Sequence, residues 1–287
     1  MIAHAVELLR SGQLVAFPTE TVYGLGANAL DPAAVQKIFE AKGRPLTSPL
    51  IVHVASIEMA RSLASVWPPE AQQLAERFWP GPLTLIVPKA AHVPDLVTAG
   101  FPSVGLRMPS HPLALELLKA TGLPLAAPSA NRFTQLSPTT AEHVRQGLGK
   151  LVPLILDGGR CRVGIESTVL SLAGPTPRIL RPGGITQTQI EAVIGPVEIG
   201  AGPESPGQHP KHYSPGTRVI LGPSPDSGHG TRLDFSNMPA DPAAYAESLY
   251  RTLHDLDVQG YDWISIELPP DTPEWAGVRD RLLRAVG

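Results

Sequence analysis

Between residues 2 and 194, short apolar runs of strand length alternate with stretches of helix length, and the alternation is irregular. Strand-like runs fall at 13–18, 50–55, 83–88, 104–108, 125–127 and 154–157. Helical stretches fall at 2–11, from Asp31-Pro32 to Lys42, and at 57–66, 69–78, 112–121, 140–148 and 186–194. Asp31 followed by Pro32 is a strong start signal, an N-cap acceptor followed by a residue that needs no donor at the first turn. Runs 169–172 and 178–180 flank a Gly/Pro-rich turn and read as a hairpin. Strict alternation would specify a parallel sheet; adjacent strands break the pattern, so the expected fold is α/β with a twisted mixed sheet and flanking helices.

The pattern stops at residues 200–216, which are rich in Gly, Pro, Ser and His and lack any period. That composition suits a linker. Beyond it lie strand-like runs at 219–221 and 261–268, a helix capped by Asp241-Pro242 and carrying Tyr245, Leu249, Leu253 and Leu256, and a last helix at 272–286. The expected organisation is a large domain at 1–199, a linker at 200–216 and a small α/β, Rossmann-like domain at 217–287.

Composition removes several function classes. The chain has 287 residues, 43% of them hydrophobic, with no window of eighteen consecutive apolar residues and no basic-then-apolar leader. One cysteine, Cys161, excludes an internal disulfide and multi-cysteine zinc sites. The expectation is a cytoplasmic protein with no membrane association. A net charge of -3 and 5% aromatics disfavour a protein whose main work is gripping RNA.

Three segments at the ends of the predicted elements carry the chemistry. Thr19-Glu20-Thr21-Val22-Tyr23-Gly24-Leu25-Gly26 follows the first strand. Its glycines mimic a dinucleotide fingerprint, but no helix opens directly after them, so the reading is a glycine turn that lets backbone pass close to its neighbours. Lys42-Gly43-Arg44-Pro45 follows a helix; by position it could be a solvated helix end, or a point charge and a planar fork for phosphate. As a loop cation, Arg44 is expected to pack little. Pro128-Ser129-Ala130-Asn131 follows the 125–127 strand, at a carboxyl end where α/β sheets place ligands. No Gly-x-x-x-x-Gly-Lys-Ser/Thr loop is present, so a nucleotide would be held another way. Arg107 stands mid-run among Val104, Gly105, Leu106 and Met108, which demands either an internal carboxylate partner or an anionic ligand. His53 lies inside an apolar run and reads as a core histidine or a ligand contact. His209-x-x-His212 is a weak metal signal, and no metal site is assigned.

These segments, with Pro49-Leu50-Ile51-Val52-His53, Glu166-Ser167-Thr168 and Arg181-Pro182-Gly183, resemble the YrdC-domain family in order and spacing. The likeness is to its longer branch, the threonylcarbamoyl-AMP synthases; it is dense over about residues 1–195 and thinner beyond. It implies an enzyme, a nucleotidyltransferase that joins L-threonine, bicarbonate and ATP with release of pyrophosphate, accompanied by Mg2+. It implies threonine contacts at Thr21, His53, Arg107, Ala127 and Ser167. It implies ATP contacts at Arg44, Ser48, Ser103, Ser129, Ser137, Arg181 and Tyr213, and catalytic roles for Lys42, Arg44 and Asn131. The implied lid is the linker, whose His212-Tyr213 matches the family, whereas residues 208–211 depart from its pattern. Ser48 replaces the family's usual asparagine, and the small domain is shorter than usual. The implied partners are downstream enzymes of tRNA threonylcarbamoyl transfer, with no strong direct tRNA binding. The alternatives are a non-catalytic RNA-binding protein of this fold and a hydrogenase-maturation carbamoyltransferase; the latter would need zinc-finger cysteines and extra domains that the chain lacks.

Overall fold

The computed structural model describes residues 1–202, 204–207 and 212–286. The large domain runs α1 (Ile2–Arg10), β1 (Val15–Phe17), β2 (Gly24–Asn28), α2 (Pro32–Lys42), β3 (Ile51–His53), α3 (Ile57–Ser62), α4 (Pro69–Phe78), β4 (Leu83–Pro88), α5 (Asp95–Thr98), β5 (Ser103–Arg107), α6 (Pro112–Thr121), β6 (Leu125–Ala126), α7 (Ala141–Gly147), β7 (Leu154–Ile155), β8 (Thr168–Ser171), β9 (Arg178–Arg181), α8 (Gln187–Ile194) and β10 (Glu198–Ile199). The small domain follows as β11 (Arg218–Leu221), β12 (Gly230–Leu233), α9 (Pro242–Asp257), β13 (Trp263–Ile266) and α10 (Ala276–Val286).

The large sheet has the order β10-β9-β8-β4-β5-β3-β6-β2-β1-β7. Its pairings are mixed: β3 lies parallel to β5, β4 parallel to β8, while β6 runs antiparallel to both β2 and β3. Buried aliphatic side chains of the central strands, Val52, Leu85 and Leu106 among them, join helix residues such as Val35, Ile38 and Leu74 in the main core. The small sheet, β11-β13-β12, is wholly parallel. A second apolar cluster joins it to α9 and α10 and also takes in Val22, Leu136 and Ile165, so the large domain packs on the small one through apolar contacts. No helix among the described residues is long and apolar enough to cross a membrane.

One expectation about the elements is overturned. Gly24–Asn28 is not a turn but strand β2, hydrogen-bonded to β1 on one side and β6 on the other. Glycine-rich sequence scores poorly as strand, yet here a glycine is what permits it. A Cβ on Gly26 would lie 2.7 Å from the Phe17 ring. The close backbone approach is real, and it occurs within the sheet. Strands β10 and β12 and helix α5 were likewise not foreseen; each is only two to four residues long, and β12 lies at the edge of its sheet.

Candidate active site

Strands β3 and β5 are parallel and in register, with His53 opposite Arg107, so both side chains arrive together at the carboxyl ends of neighbouring strands. Arg107 is therefore the last residue of its strand, not its middle. It is 4% exposed. Nη2 donates to Glu20 Oε1 at 2.7 Å and Nε to the Gly81 carbonyl at 3.3 Å. The second oxygen of Glu20 accepts the Ser110 amide at 3.0 Å. The internal carboxylate thus exists, and it holds the guanidinium on the wall of a cavity also lined by Thr19, Thr21, His53 and Ala127. Burial, with the charge of Arg107 beside it, pushes the His53 pKa down to about 3, so the imidazole is neutral at physiological pH. Its Nδ1 is buried without a partner among the described residues. Thr19 Oγ1 lies 2.8 Å from Thr21 Oγ1 and donates to the Val22 carbonyl. The Ala127 amide is committed to the Ile51 carbonyl.

Ser167 bridges to the other end of the cavity. Its hydroxyl is 2.8 Å from that of Thr84 and accepts Arg181 Nη2 at 3.1 Å. Arg181 also grips the Ser167 carbonyl through Nε and Nη2, at 3.1 and 3.0 Å, and reaches the Pro206 carbonyl through Nη1. Arg44 faces the same space. Far from packing little, it is 7% exposed, donates to the Ser48 and Pro49 carbonyls, and lies over the Phe133 ring. Burial, reinforced by Arg181, lowers its pKa to about 10, which leaves it a cation at neutral pH. Three guanidiniums and one acid, Glu166, therefore line the cavity among the described residues.

Other predicted residues stand behind the wall. Lys42 is fully buried, and Nζ donates to the carbonyls of Ser129 and Asn131, both at 2.5 Å. Burial, with Arg44 adding, holds its pKa well below the ordinary lysine value. Asn131 Nδ2 donates to the Arg132 and Gln135 carbonyls at 2.8 Å. Neither side chain lines the cavity; both shape the 128–135 loop that brings Ser129 to it. Ser137 donates to Glu166 Oε1 at 2.5 Å. Ser48 contributes its carbonyl to Arg44. Ser103 begins β5, four residues from Arg107 on the same strand face, with a buried hydroxyl that has no partner among the described residues.

The described part of the linker folds over this cavity. Pro206, Gly207, His212 and Tyr213 line it. A Cβ on Gly207 would meet the Tyr213 hydroxyl at 2.3 Å, so glycine is required where the two segments of the strap touch. Tyr213 adopts φ 60, a left-handed conformation that a bulky residue keeps only when its surroundings impose it. They do: its ring packs against His212, Tyr250 and the Arg281 guanidinium. The strap is also clipped to the end of α10. The His212 amide donates to the Arg284 carbonyl and Ser214 Oγ to the Ala285 carbonyl, satisfying acceptors that a helix end leaves open. Residue 209, half of the weak histidine pair, and the divergent residues 208–211 lie outside the described residues.

The cavity thus has a fixed guanidinium and a neutral histidine at its sheet end, and two further guanidiniums under a strap at the other. Residues 7–183 match the Sua5/YciO/YrdC sequence model, described as telomere recombination, and residues 185–287 match the threonylcarbamoyl-AMP synthase C-terminal domain. The chain belongs to the Sua5/YciO/YrdC family. It is 44% identical to the threonylcarbamoyl-AMP synthase of Bacillus subtilis, with 100% of this chain and 93% of the relative covered. It superposes on Pyrococcus abyssi Sua5 complexed with L-threonine with a TM-score of 0.93 and 39% identity, covering 99% and 94% of the two chains. A putative threonylcarbamoyl-AMP synthase of Mycobacterium tuberculosis is 41% identical over 194 residues, which is 68% of this chain and 89% of that one. This member of the Sua5/YciO/YrdC family thus has the two-domain form.

Sequence reasoning missed Glu20, Glu166, Tyr250 and Arg281 as site residues. The two glutamates sat inside motifs already quoted, and the apolar run around Arg107 demanded a carboxylate without saying which. Arg281 carried a fainter signal: it lies on the helix face of Val278, Leu282 and Ala285, where a cation must find a buried partner. That partner is Glu166, whose Oε2 accepts Arg281 Nε at 2.6 Å and the Tyr250 hydroxyl at 3.0 Å. Burial alone would raise the Glu166 pKa; the charges of Arg281 and Arg181 and the bond from Ser137 overcome it and hold the value at about 2.

Proposed function

We propose that this chain is a threonylcarbamoyl-AMP synthase acting on L-threonine, bicarbonate and ATP. The observation that carries the reading is the cavity's two-ended wall: Arg107, His53 and Thr21 at the sheet end, Arg44 and Arg181 beneath the strap. Arg107 would fork onto the threonine carboxylate while Glu20 fixes its plane, and the neutral His53 would accept or donate through the ring nitrogen that now has no partner. Threonine's amine and bicarbonate would condense to a carbamate with loss of water. A carbamate oxygen would then attack the α-phosphorus of ATP, the bond to the β-phosphate would break, and pyrophosphate would leave with Arg44 and Arg181 stabilising its charge. Transfer of the adenylyl group from pyrophosphate to the carbamate would make it a nucleotidyltransferase, and the chain's contribution is positioning and charge stabilisation. Lys42 and Asn131 act as positioning residues for the loop carrying Ser129.

Among the described residues no three His, Cys, Asp or Glu side chains gather to hold a metal ion, and both oxygens of Glu166 are taken. These residues offer no resident magnesium site, and magnesium would arrive as part of the MgATP substrate. Product would pass to enzymes that transfer threonylcarbamoyl groups to tRNA, in the cytoplasm. The test is pyrophosphate release with each substrate omitted in turn: all three should be required. Equal turnover without threonine would sink the assignment.

A further inference from the structure

The cavity's cationic end contains a carboxylate, and a negative charge there opposes a polyphosphate. Glu166 is 7% exposed and immediately precedes Ser167, whose carbonyl and hydroxyl hold Arg181. Among the described residues of the large domain, the one side-chain donor to its carboxylate is the uncharged Ser137. Its cationic partner comes from the other domain. Arg281 of α10, with a side chain 0% exposed, donates through Nε to Glu166 Oε2 and through Nη2 to the Glu166 carbonyl at 3.2 Å. Nη1 bonds Asp280 at 2.6 Å and the Pro182 carbonyl at 3.0 Å. The same guanidinium stacks 5.2 Å from the Tyr213 ring centroid. One side chain of the small domain therefore holds the acid of the cavity wall and the aromatic of the strap together.

We infer that Arg281 is a positioning residue for nucleotide binding: it keeps Glu166 from capturing Arg181, so that Arg181 and Arg44 stay available to phosphate. This inference rests on the ATP reading above. Remove the Arg281 charge, and Glu166, held by the Ser137 and Tyr250 hydroxyls, faces the Arg181 guanidinium beside it. An arginine so captured is a poor phosphate ligand, and an uncompensated carboxylate repels the incoming anion. The effect is specific to one ligand, because the Arg107 end has its own carboxylate, Glu20.

The test is equilibrium titration of the full-length protein with MgATP and, separately, with L-threonine. Arg281→Met should weaken MgATP by about tenfold or more, the scale of a like-charge juxtaposition, and leave threonine affinity within about twofold. The double variant Glu166→Gln/Arg281→Met, which removes both charges, should return MgATP affinity to near the parent value. A merely structural Arg281 predicts instead that both ligands weaken together and that the second change restores neither. Either result overturns the inference, as does unchanged MgATP affinity in Arg281→Met. Should Arg281→Met not fold, Glu166→Gln and the double variant are compared. Equal MgATP affinity supports the inference; a tenfold loss in the double variant alone would mean that Arg281 contacts nucleotide directly and would overturn it. A parent protein that binds threonine but not MgATP overturns the ATP reading itself, and the inference with it.

Discussion

The two ends of the cavity are built by different means. The Arg107 end is made by neighbouring strands of one sheet: His53 and Arg107 are register partners, and Glu20 clamps the guanidinium from the loop after β1. The arginine end is assembled from pieces far apart in sequence: Arg44 after α2, Arg181 at the end of β9, the strap residues 206–207 and 212–213, and Arg281 on α10. Sheet hydrogen bonds fix the first in advance. The second is complete only when a linker and a second domain are docked, and interdomain contacts are the part of a fold most readily opened. A preformed end and a conditional end suit a reaction in which a water-labile product must be enclosed after the substrates have entered.

The largest break in the comparison should come from Arg44→Ala. Losing a preorganised cation aimed at developing phosphate charge costs on the order of 10²–10³ in turnover. The structure adds a second effect. Arg44 satisfies the Ser48 and Pro49 carbonyls, so its removal also costs about 1–3 kcal/mol of stability through unpaired acceptors. Assays paired with thermal melts should show both losses, and a fully active Arg44→Ala would remove the phosphate role. Arg107→Lys should have a smaller and more selective effect. Lysine keeps a charge opposite Glu20 but loses the planar fork, so the threonine KM should rise about 10–100-fold while that for ATP changes little. If both constants rose equally, the two ends would not be independent and the comparison itself would fail.

How much of this was legible follows from the same division. The elements of the large domain were readable because period and caps coincide: Asp31 accepts the Ala33 amide as its sequence position demands, and α4, β4 and α6 occur at the residues read. Strand β2 was not readable, because its glycines are explained by a Phe17 ring that approaches only in the folded sheet. In the site, residue types singled out Arg107, a cation inside an apolar run, while Arg44 and Arg181 took their roles from the family motifs. They could not separate Arg44, whose side chain lines the cavity, from Lys42, whose ammonium is spent on two carbonyls behind it. Nor could local sequence connect Glu166 with Arg281 across 115 positions. Partnerships made by docking leave no periodic trace.

The smallest expected effect concerns how the docked end gives way in acid. His143 on α7 and His254 on α9 stack across the domain boundary, centroids 3.9 Å apart. Burial first, and then His254, lowers the His143 pKa to about 4; burial also lowers that of His254. The acids near them are Glu142, Asp255 and Asp257. Burial likewise lowers His212 in the strap and His53 in the sheet to about 3. Each depressed value lies below 6.5, so the unfolded chain takes up protons that the folded chain refuses. The stability these histidines contribute is complete above pH about 6.5 and is lost as pH falls towards 4 for His143 and 3 for His53 and His212. Glu166 adds its own loss later, as pH falls from 4.5 towards about 2. Thermal melts between pH 8 and 4 should therefore be flat at the alkaline end and decline below about pH 6.5. His143→Phe keeps a stacked ring without a titrating nitrogen, so it should remove part of the decline above pH 4. If nucleotide binding needs the docked domain, MgATP affinity should fall at a higher pH than threonine affinity in the parent protein. Coincident loss of the two would show that the sheet end and the strap end open as one unit.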